Sequence, residues 1–112
     1  MRHWAEEVAR DYLLAHGYRI LAENYTVRGA EVDLIAQKGE LIVFAEVKQR
    51  RSDRYGSPAE LITAKKLERL YGAAQVFIAE TFSRDDLPLR FDALLVSGSR
   101  ERHTLEHLEG IS

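Results

Sequence analysis

Two opposite charges interrupt one of the most apolar stretches of the chain, VFAEVKQR at residues 43–50. Glu46 and Lys48 are two residues apart, so in a β-strand both side chains point to the same sheet face. Asp33 lies in the preceding apolar segment, EVDLIAQ at residues 31–37. Carboxylates that lie together can hold a hard divalent cation, and a neighbouring lysine can stabilise developing negative charge. These residues therefore suggest a site for metal-dependent hydrolysis.

The pairing of the two segments decides how the carboxylates meet. If the loop between the strands has an even number of residues, Asp33 shares a face with Glu46 and Lys48. A two-residue turn at Lys38-Gly39 would set Glu31 opposite Glu46, whereas a four-residue loop would set Asp33 opposite Glu46, with Cβ atoms about 5 Å apart. In both registers the carboxylates repel each other and lose hydration, which favours an added cation.

An ordinary ion-pair network is the alternative interpretation, because Lys48 and Arg50 lie close to these carboxylates in the sequence. Glu6 lies at the edge of the apolar stripe of the predicted first helix, where it could lean over the sheet, and a glutamate on the flanking surface is the alternative for this position taken alone. Glu7 lies on the opposite, solvated side of that helix.

The elements that would position these residues follow the order αβββαββ. An amphipathic helix is predicted over residues 4–13, with Gly17 as its stop. A capping box at 57–60 opens a second helix that runs through Leu61, Ile62, Leu67 and Leu70 toward Ile78. Both faces of the sheet should be covered, because residues of both parities are apolar in the paired strands. The predicted strands are 18–27, 31–37, 40–48, 89–96 and a weaker one at 103–108.

Composition limits the function classes. The 112 residues suit a single domain, and 16 basic against 18 acidic residues create no overall positive field. Any binding of nucleic acid must therefore come from local clustering of positive charge. The chain has no cysteine and no run long enough for a membrane span, so we expect a cytoplasmic protein with no membrane partner. The four histidines show no paired metal spacing, and His16 and His107 are interpreted as structural.

A basic cluster follows the candidate catalytic strand. Arg50, Arg51 and Arg54 lie within six residues after Lys48, with Asp53 among them, and Lys65 and Lys66 fall on the predicted second helix. Such a cluster can follow a phosphate backbone, and we predict that it binds DNA. A solvated charged loop is the alternative.

Several segments of the chain together resemble a known family. They are Glu6, Gly17-Tyr18, Asn24, AEVDLIA from Ala30, FAEVKQR from Phe44, YGSPAE from Tyr55, RFD from Arg90 and EHLEG from Glu106. The sequence is similar to the YraN family of bacterial proteins, which resemble archaeal Holliday junction resolvases within the PD-(D/E)xK nuclease superfamily. Ala30 departs from the family, which usually has a second glycine beside Gly29, and no proline precedes Asp33.

The resemblance implies a three-layer α/β/α restriction-endonuclease-like fold with a central mixed sheet, over one domain of residues 1–112. It implies that Asp33 and Glu46 hold Mg²⁺ or Mn²⁺, that Lys48 is catalytic, and that Glu31 and Glu6 lie in or near the metal shell. The implied activity is hydrolysis of DNA, with branched or damaged DNA as expected substrates and a homodimer as the expected assembly. The alternative function is a nucleic-acid-binding or scaffold protein that keeps the fold without turnover.

Overall fold

The computed structural model describes residues 3–27, 29–50, 63–84 and 86–111, and of Arg50 it describes the backbone alone. The order of the elements is αβββαββ, as predicted. They are α1 (Trp4–Ala15), β1 (Arg19–Val27), β2 (Ala30–Lys38), β3 (Leu41–Arg50), α2 (Ala64–Phe82), β4 (Leu89–Gly98) and β5 (His103–Leu108).

The first helix forms where the apolar spacing predicts it. Ala5, Ala9 and Leu13 are spaced four residues apart and form its buried stripe. The helix begins after His3, whose ring nitrogen Nδ1 accepts a hydrogen bond of 3.1 Å from the amide of Ala5. Gly17 ends the helical segment with φ at 87°, a conformation that glycine adopts without steric cost.

The sheet contains five strands in the order β1-β2-β3-β4-β5. The pair β3 and β4 is parallel, and the other neighbouring pairs are antiparallel. Because β3 and β4 are parallel, their carboxyl ends lie at the same end of the sheet. The start of β5 lies there too, since His103 pairs with Gly98 at the end of β4.

Helices cover both faces of this sheet. The helix α1 packs on a face that presents Leu34, Val43 and Leu94. The helix α2 packs on the other face, where Phe44 and Phe91 lie in its core. The fold is therefore the predicted α/β/α sandwich with a mixed sheet, consistent with a restriction-endonuclease-like fold. No helix among the described residues is both long enough and apolar enough to cross a membrane.

The hairpin register differs from the prediction by one residue. Lys38 pairs with Leu41, so the two-residue turn is Gly39-Glu40 and not Lys38-Gly39. The observed pairing runs back to Leu34 opposite Ala45, and just beyond it the amide of Val47 donates to the side chain of Asp33. The register that was predicted only for a four-residue loop therefore arises from a two-residue turn.

The second helix begins later than predicted. Thr63 is extended, with φ at −76° and ψ at 160°, and its hydroxyl accepts a hydrogen bond of 3.1 Å from the amide of Lys66. Thr63 is therefore the N-cap of α2, and the prediction of one helix running through Leu61 and Ile62 into Leu67 is wrong at this residue. The predicted capping box at 57–60 lies outside the described residues.

Candidate active site

A cleft of about 430 Å³ opens between the carboxyl end of β3, the start of β2 and the first turns of α2. Carboxylates line one wall, and basic side chains of α2 line the other. The lining residues are Gly29, Ala30, Glu31, Asp33, Glu46, Thr63, Lys65, Lys66, Arg69 and Leu70. The sheet register and the packing of α2 thus bring opposite charges to a single cavity.

Glu46 is nearly buried, with 8% of its surface exposed. Its Oε1 lies 2.6 Å from the ammonium of Lys66 and 3.4 Å from that of Lys48. Its other oxygen, Oε2, is buried and has no hydrogen-bond partner among the described residues. A buried carboxylate oxygen without a donor is costly, so this atom is open to a further cationic or hydrogen-bonding ligand.

Asp33 is half-buried, and its Oδ2 accepts a hydrogen bond of 2.8 Å from the amide of Val47. Burial raises the pKa of Asp33 to about 6, against the opposing effect of that hydrogen bond. The value of about 6 also includes the negative charges of Glu46, Glu6 and Glu31, which act in the same direction as burial. The cluster of like charges predicted from the sequence is therefore present around Asp33, and its ionised form is unfavourable there.

The four predicted metal ligands are not equally placed. Asp33 and Glu46 line the cleft, Glu31 lines it as an exposed residue, and Glu6 is half-buried on α1, from which its charge acts on Asp33. Within the described residues, no group of three or more acidic, histidine or cysteine side chains is arranged to hold one ion. The ligand set of four carboxylates stays a prediction, and Asp33 with Glu46 forms its centre.

Lysines neutralise the carboxylate wall. Burial acts to lower the pKa of Lys66, but the hydrogen bond to Glu46 and the charge of Glu46 outweigh it, and the pKa is raised above its ordinary value. Lys66 is therefore a cation that faces Glu46, whereas sequence reasoning assigned it to the DNA backbone. Lys48, the predicted catalytic lysine, keeps a third of its side chain exposed.

The predicted DNA-binding residues divide between the cleft and the segment beyond it. Lys65 is exposed and lines the cleft, and Arg69 lies beside it one turn later on α2. Arg50 is the last residue of β3. Arg51 and Arg54 lie outside the described residues.

Comparison with known proteins identifies relatives over most of the chain. Residues 5–96 match the Uncharacterised protein family UPF0102. The chain belongs to the UPF0102 family. A UPF0102 protein of Thermus thermophilus is 46% identical over 105 residues, which span 94% of this chain and 90% of the relative. A UPF0102 protein of Symbiobacterium thermophilum is 47% identical over 91 residues, 81% of this chain and 76% of the relative. The resemblance to the YraN family is confirmed, since YraN and UPF0102 describe one family.

This UPF0102 protein contains a second polar cluster that sequence reasoning did not assemble. Asp92 is fully buried in β4, and its carboxylate accepts hydrogen bonds from Arg90, from the ring of His107 and from the amide of Gly110. The other ring nitrogen of His107 lies 3.0 Å from the hydroxyl of Tyr12 on α1. A lone aspartate inside the apolar strand 89–96 was the available sequence signal. The cluster joins α1, β4, β5 and the segment after β5, on the sheet face opposite α2.

Proposed function

We propose that this UPF0102 protein is a metal-dependent endonuclease that hydrolyses DNA phosphodiester bonds, with branched or damaged DNA as its substrate class. One observation carries the proposal: two carboxylates line the same cleft, Glu46 nearly buried and Asp33 with a pKa raised by burial and by neighbouring carboxylates. Groups whose charged form is disfavoured, held together in a cleft, are typical of catalytic sites.

The donor set fits a hard divalent cation. Oε2 of Glu46 is buried without a partner among the described residues, and the ionised form of Asp33 is destabilised by its neighbours. One or two protein carboxylates are enough for Mg²⁺, which takes its remaining ligands from water and from substrate phosphates. Asp33 and Glu46 would hold Mg²⁺ or Mn²⁺, with Glu31 and Glu6 adding negative charge around it. A bound metal of this kind polarises a phosphate and acidifies its water.

The two lysines have separate roles in this proposal. Both contact the same oxygen of Glu46, Lys66 at 2.6 Å and Lys48 at 3.4 Å. A metal ion held by Glu46 would supply the positive charge that Lys66 supplies in this structure, and the ammonium of Lys66 would then be placed to bind a phosphate oxygen of the substrate. Lys48 lies on the same strand as Glu46 and stabilises the negative charge that develops during phosphodiester cleavage.

DNA is the proposed partner because the cleft has a basic wall. Lys65 and Arg69 are exposed on α2 and line it, and Arg50, Arg51 and Arg54 follow the carboxyl end of β3 in sequence. The whole chain carries a net charge of −2, so phosphate contacts must come from this local cluster. The predicted homodimer stays a prediction, which measurement of the mass in solution with and without DNA would decide.

A second candidate function is a nucleic-acid-binding or scaffold protein without turnover of its own. The contacts of Glu46 favour it, because the ammonium groups of Lys48 and Lys66 both lie close enough to neutralise this carboxylate. In that case the cleft is an ion-pair network that supports a basic binding surface.

A cleavage assay distinguishes the two candidates. The purified protein is incubated with linear, flapped and four-way DNA, with Mg²⁺ or Mn²⁺ and with chelator. We expect metal-dependent nicking that falls by about 100-fold or more in Asp33→Asn and Glu46→Gln, since a lost metal ligand removes several kcal/mol of transition-state stabilisation. Glu40→Gln is the matched control, because Glu40 is an exposed carboxylate at the opposite end of β3. Binding of the same DNAs without cleavage by any metal-loaded sample would favour the second candidate.

A further inference from the structure

Three aromatic rings lie together at the surface where α1 and β5 begin. The rings of His3 and Trp4 are stacked with centroids 5.9 Å apart, and the ring of Trp4 lies 6.0 Å from that of His103 at a tilt of 44°. His3 and His103 are exposed, and Trp4 is half-buried. Centroid distances near 6 Å correspond to offset rings, which leave part of each ring face uncovered. We call this surface the aromatic platform.

The aromatic platform lies at the same end of the sheet as the cleft. Arg50 of β3 pairs with Ser97 of β4, and the next residue of β4, Gly98, pairs with His103. At the level of Arg50 and His103, the backbones of β3 and β5 are two strand spacings apart, or about 10 Å. This is roughly three base-pair rises along a DNA strand.

The platform lies on the sheet face that α1 covers, and the cleft lies on the face that α2 covers. The two are linked at this end of the sheet by Glu6 of α1, two residues after Trp4, whose charge acts on Asp33 in the cleft. A nucleic acid that follows the end of the sheet from the cleft to α1 would reach these rings.

Hydrogen bonds fix both histidines of the platform. Nδ1 of His3 accepts from the amide of Ala5 at 3.1 Å, as part of the helix cap. Nδ1 of His103 lies 3.2 Å from the carbonyl oxygen of Ser99 and 3.1 Å from that of Arg100, so this nitrogen donates to the turn. Because the ring orientations are set in the unbound protein, little conformational entropy is lost when a flat ligand stacks on them.

Cationic side chains flank the platform. Arg100 and Arg102 belong to the turn that precedes His103, with Glu101 between them, and all three are exposed, so the turn carries one net positive charge. Arg100 makes a 3.5 Å ion pair with Glu7 but keeps 61% of its side chain exposed. Aromatic faces beside arginines are the combination that binds single-stranded nucleic acid, because bases stack on the rings while phosphates pair with the guanidinium groups.

We infer that the aromatic platform binds an unpaired base of the DNA substrate. Paired bases in a duplex already stack on both sides, whereas a base in a flap or at a branch point can offer a free face. The inference rests on the proposed nuclease function and narrows it, since it assigns a preference for DNA that has a single-stranded segment beside the cleavage position.

Trp4 makes the test direct, because it is the only tryptophan of the chain. The full-length protein is titrated in chelator with oligo(dT) of about 12 nucleotides, within the usual footprint of a single-strand site. An abasic strand of equal length and a blunt duplex are titrated in parallel. We expect oligo(dT) to change the fluorescence of Trp4 and the abasic strand to leave it unchanged. An unchanged signal with oligo(dT), or equal changes with both strands, would overturn the inference.

Two variants extend the test to affinity, measured by anisotropy of labelled oligo(dT). Trp4→Leu should bind it about 5- to 100-fold more weakly, the range found when a stacking side chain is removed. His103→Ala should weaken it at least threefold without weakening the blunt duplex, and it stays informative if Trp4→Leu fails to fold. His16→Ala, at an exposed histidine that follows α1, is the control and should bind as the parent does. Equal affinities of the parent and of His103→Ala for oligo(dT) would contradict the inference that the aromatic platform binds an unpaired base.

The chelator separates this inference from the proposed function. Stacking is measured without cleavage, so a change in Trp4 fluorescence with no metal-dependent nicking would overturn the nuclease alone. Nicking that is equally fast on blunt and flapped DNA, with no change in Trp4 fluorescence, would overturn the inference about the platform and leave the proposed nuclease function standing.

Discussion

Lys66 on α2 donates a hydrogen bond of 2.6 Å to Oε1 of Glu46 on β3, across the cleft. Glu46 has 9% of its side chain exposed, and Lys66 has 35%. The contact connects the helix to the strand that carries the candidate catalytic residues, and it supplies positive charge where a metal ion is proposed to bind. The position of α2 and the charge state of the cleft are therefore coupled through one ion pair.

Replacing Lys66 should therefore destabilise the fold, because the buried carboxylate of Glu46 loses its nearest cation among the described residues. In chelator, Lys66→Met leaves Glu46 with Lys48, at 3.4 Å, as its remaining cation within the part of the chain that the structure describes. We expect the free energy of unfolding to fall by about 1 to 3 kcal/mol, less than for a fully buried pair because Lys66 is one-third exposed. Millimolar Mg²⁺ should restore part of this loss, since a ligand that binds only the folded state stabilises it. Urea unfolding with and without metal measures both effects.

Lys65→Met is the control for that experiment, because Lys65 is exposed beside Lys66 and lines the same cleft. It should change stability by no more than about 0.5 kcal/mol. If Lys66→Met is as stable as the parent in chelator and Mg²⁺ has no effect on it, the ion pair neither stabilises the fold nor stands in for a metal.

Asp33 gives the folded protein a stability that depends on pH in a definite direction. Its pKa is about 6, above the ordinary value of 3.8, so the folded state binds more protons than the unfolded chain between pH 4 and pH 6. Stability should therefore decrease as pH rises through this window and stay at its lower value above it. The ionised carboxylate costs about 1 to 2 kcal/mol at neutral pH, allowing for the partial exposure of Asp33.

Asp33→Asn should consequently be more stable than the parent at pH 7.5 by about 1 to 2 kcal/mol, and the gain should vanish below about pH 4. Added Mg²⁺ should raise the Tm of the parent and leave that of the variant unchanged. Thermal melts at several pH values measure both effects, with Asp11→Asn, at an exposed residue of α1, as the control. A loss of several kcal/mol in Asp33→Asn in chelator would instead make Asp33 a structural ion-pair partner.

The shared sheet face of Asp33 and Glu46 could be predicted from the sequence, but the register of the hairpin could not. Any loop with an even number of residues keeps Asp33 on the face of Glu46, so this outcome did not depend on the exact turn. The register itself was off by one residue because Gly39 can occupy either position of a two-residue turn. Both faces of β2 and β3 are apolar, so hydrophobic alternation does not select between the two pairings.

Contacts between side chains on distant elements could not be predicted from the sequence. Lys66 and Glu46 are 20 residues apart, and their meeting depends on where α2 begins and on how it packs. The extended Thr63 makes α2 begin at Ala64. The capping box at 57–60 therefore could not predict which side of the helix its lysines occupy. Similarly, nothing local in the sequence indicates that His107 would meet Asp92, 15 residues before it.

The basic residues after β3 and on the wall of the cleft should contribute to DNA affinity through their interactions with phosphates. We expect Arg50, Arg51 and Arg54 replaced together by Ala to bind DNA more weakly and with a flatter dependence on salt, by about one unit of slope for each phosphate that is no longer neutralised. Replacing Lys65 and Arg69 should have the same kind of effect from the wall of the cleft. Stabilisation of the protein by Mg²⁺ should persist in the triple variant, because the carboxylates are intact.

Anisotropy titrations at several salt concentrations measure this effect. Arg84→Ala serves as the control, because Arg84 is exposed after the end of α2 and is paired with Asp86. An unchanged affinity and an unchanged salt slope in the triple variant would make the Arg50 to Arg54 segment an ordinary solvated loop.

Asp92 should be the most costly single carboxylate to remove, although it lies outside the cleft. Its oxygens accept from Nε and Nη2 of Arg90 at 2.8 Å, from Nε2 of His107 at 2.7 Å and from the amide of Gly110 at 3.1 Å. Burial would raise the pKa of Asp92, but the hydrogen bonds from Arg90, His107 and Gly110 outweigh it and lower the pKa below its ordinary value. The ionised form therefore stabilises the fold above about pH 4, and this stability is lost as pH falls through the lowered pKa.

Asp92→Asn places an amide donor against the donors of Arg90 and His107 and leaves the guanidinium without its charge partner. We expect a loss of about 3 to 5 kcal/mol at neutral pH, as for breaking a buried ion pair. The difference between variant and parent should shrink in acid, because the parent then loses the same contribution. Asp86→Asn is the control, since Asp86 is exposed, and it should melt as the parent does. A variant that folds with parental stability at pH 7 would contradict the role of Asp92 as the centre that holds α1, β4 and the chain after β5 together.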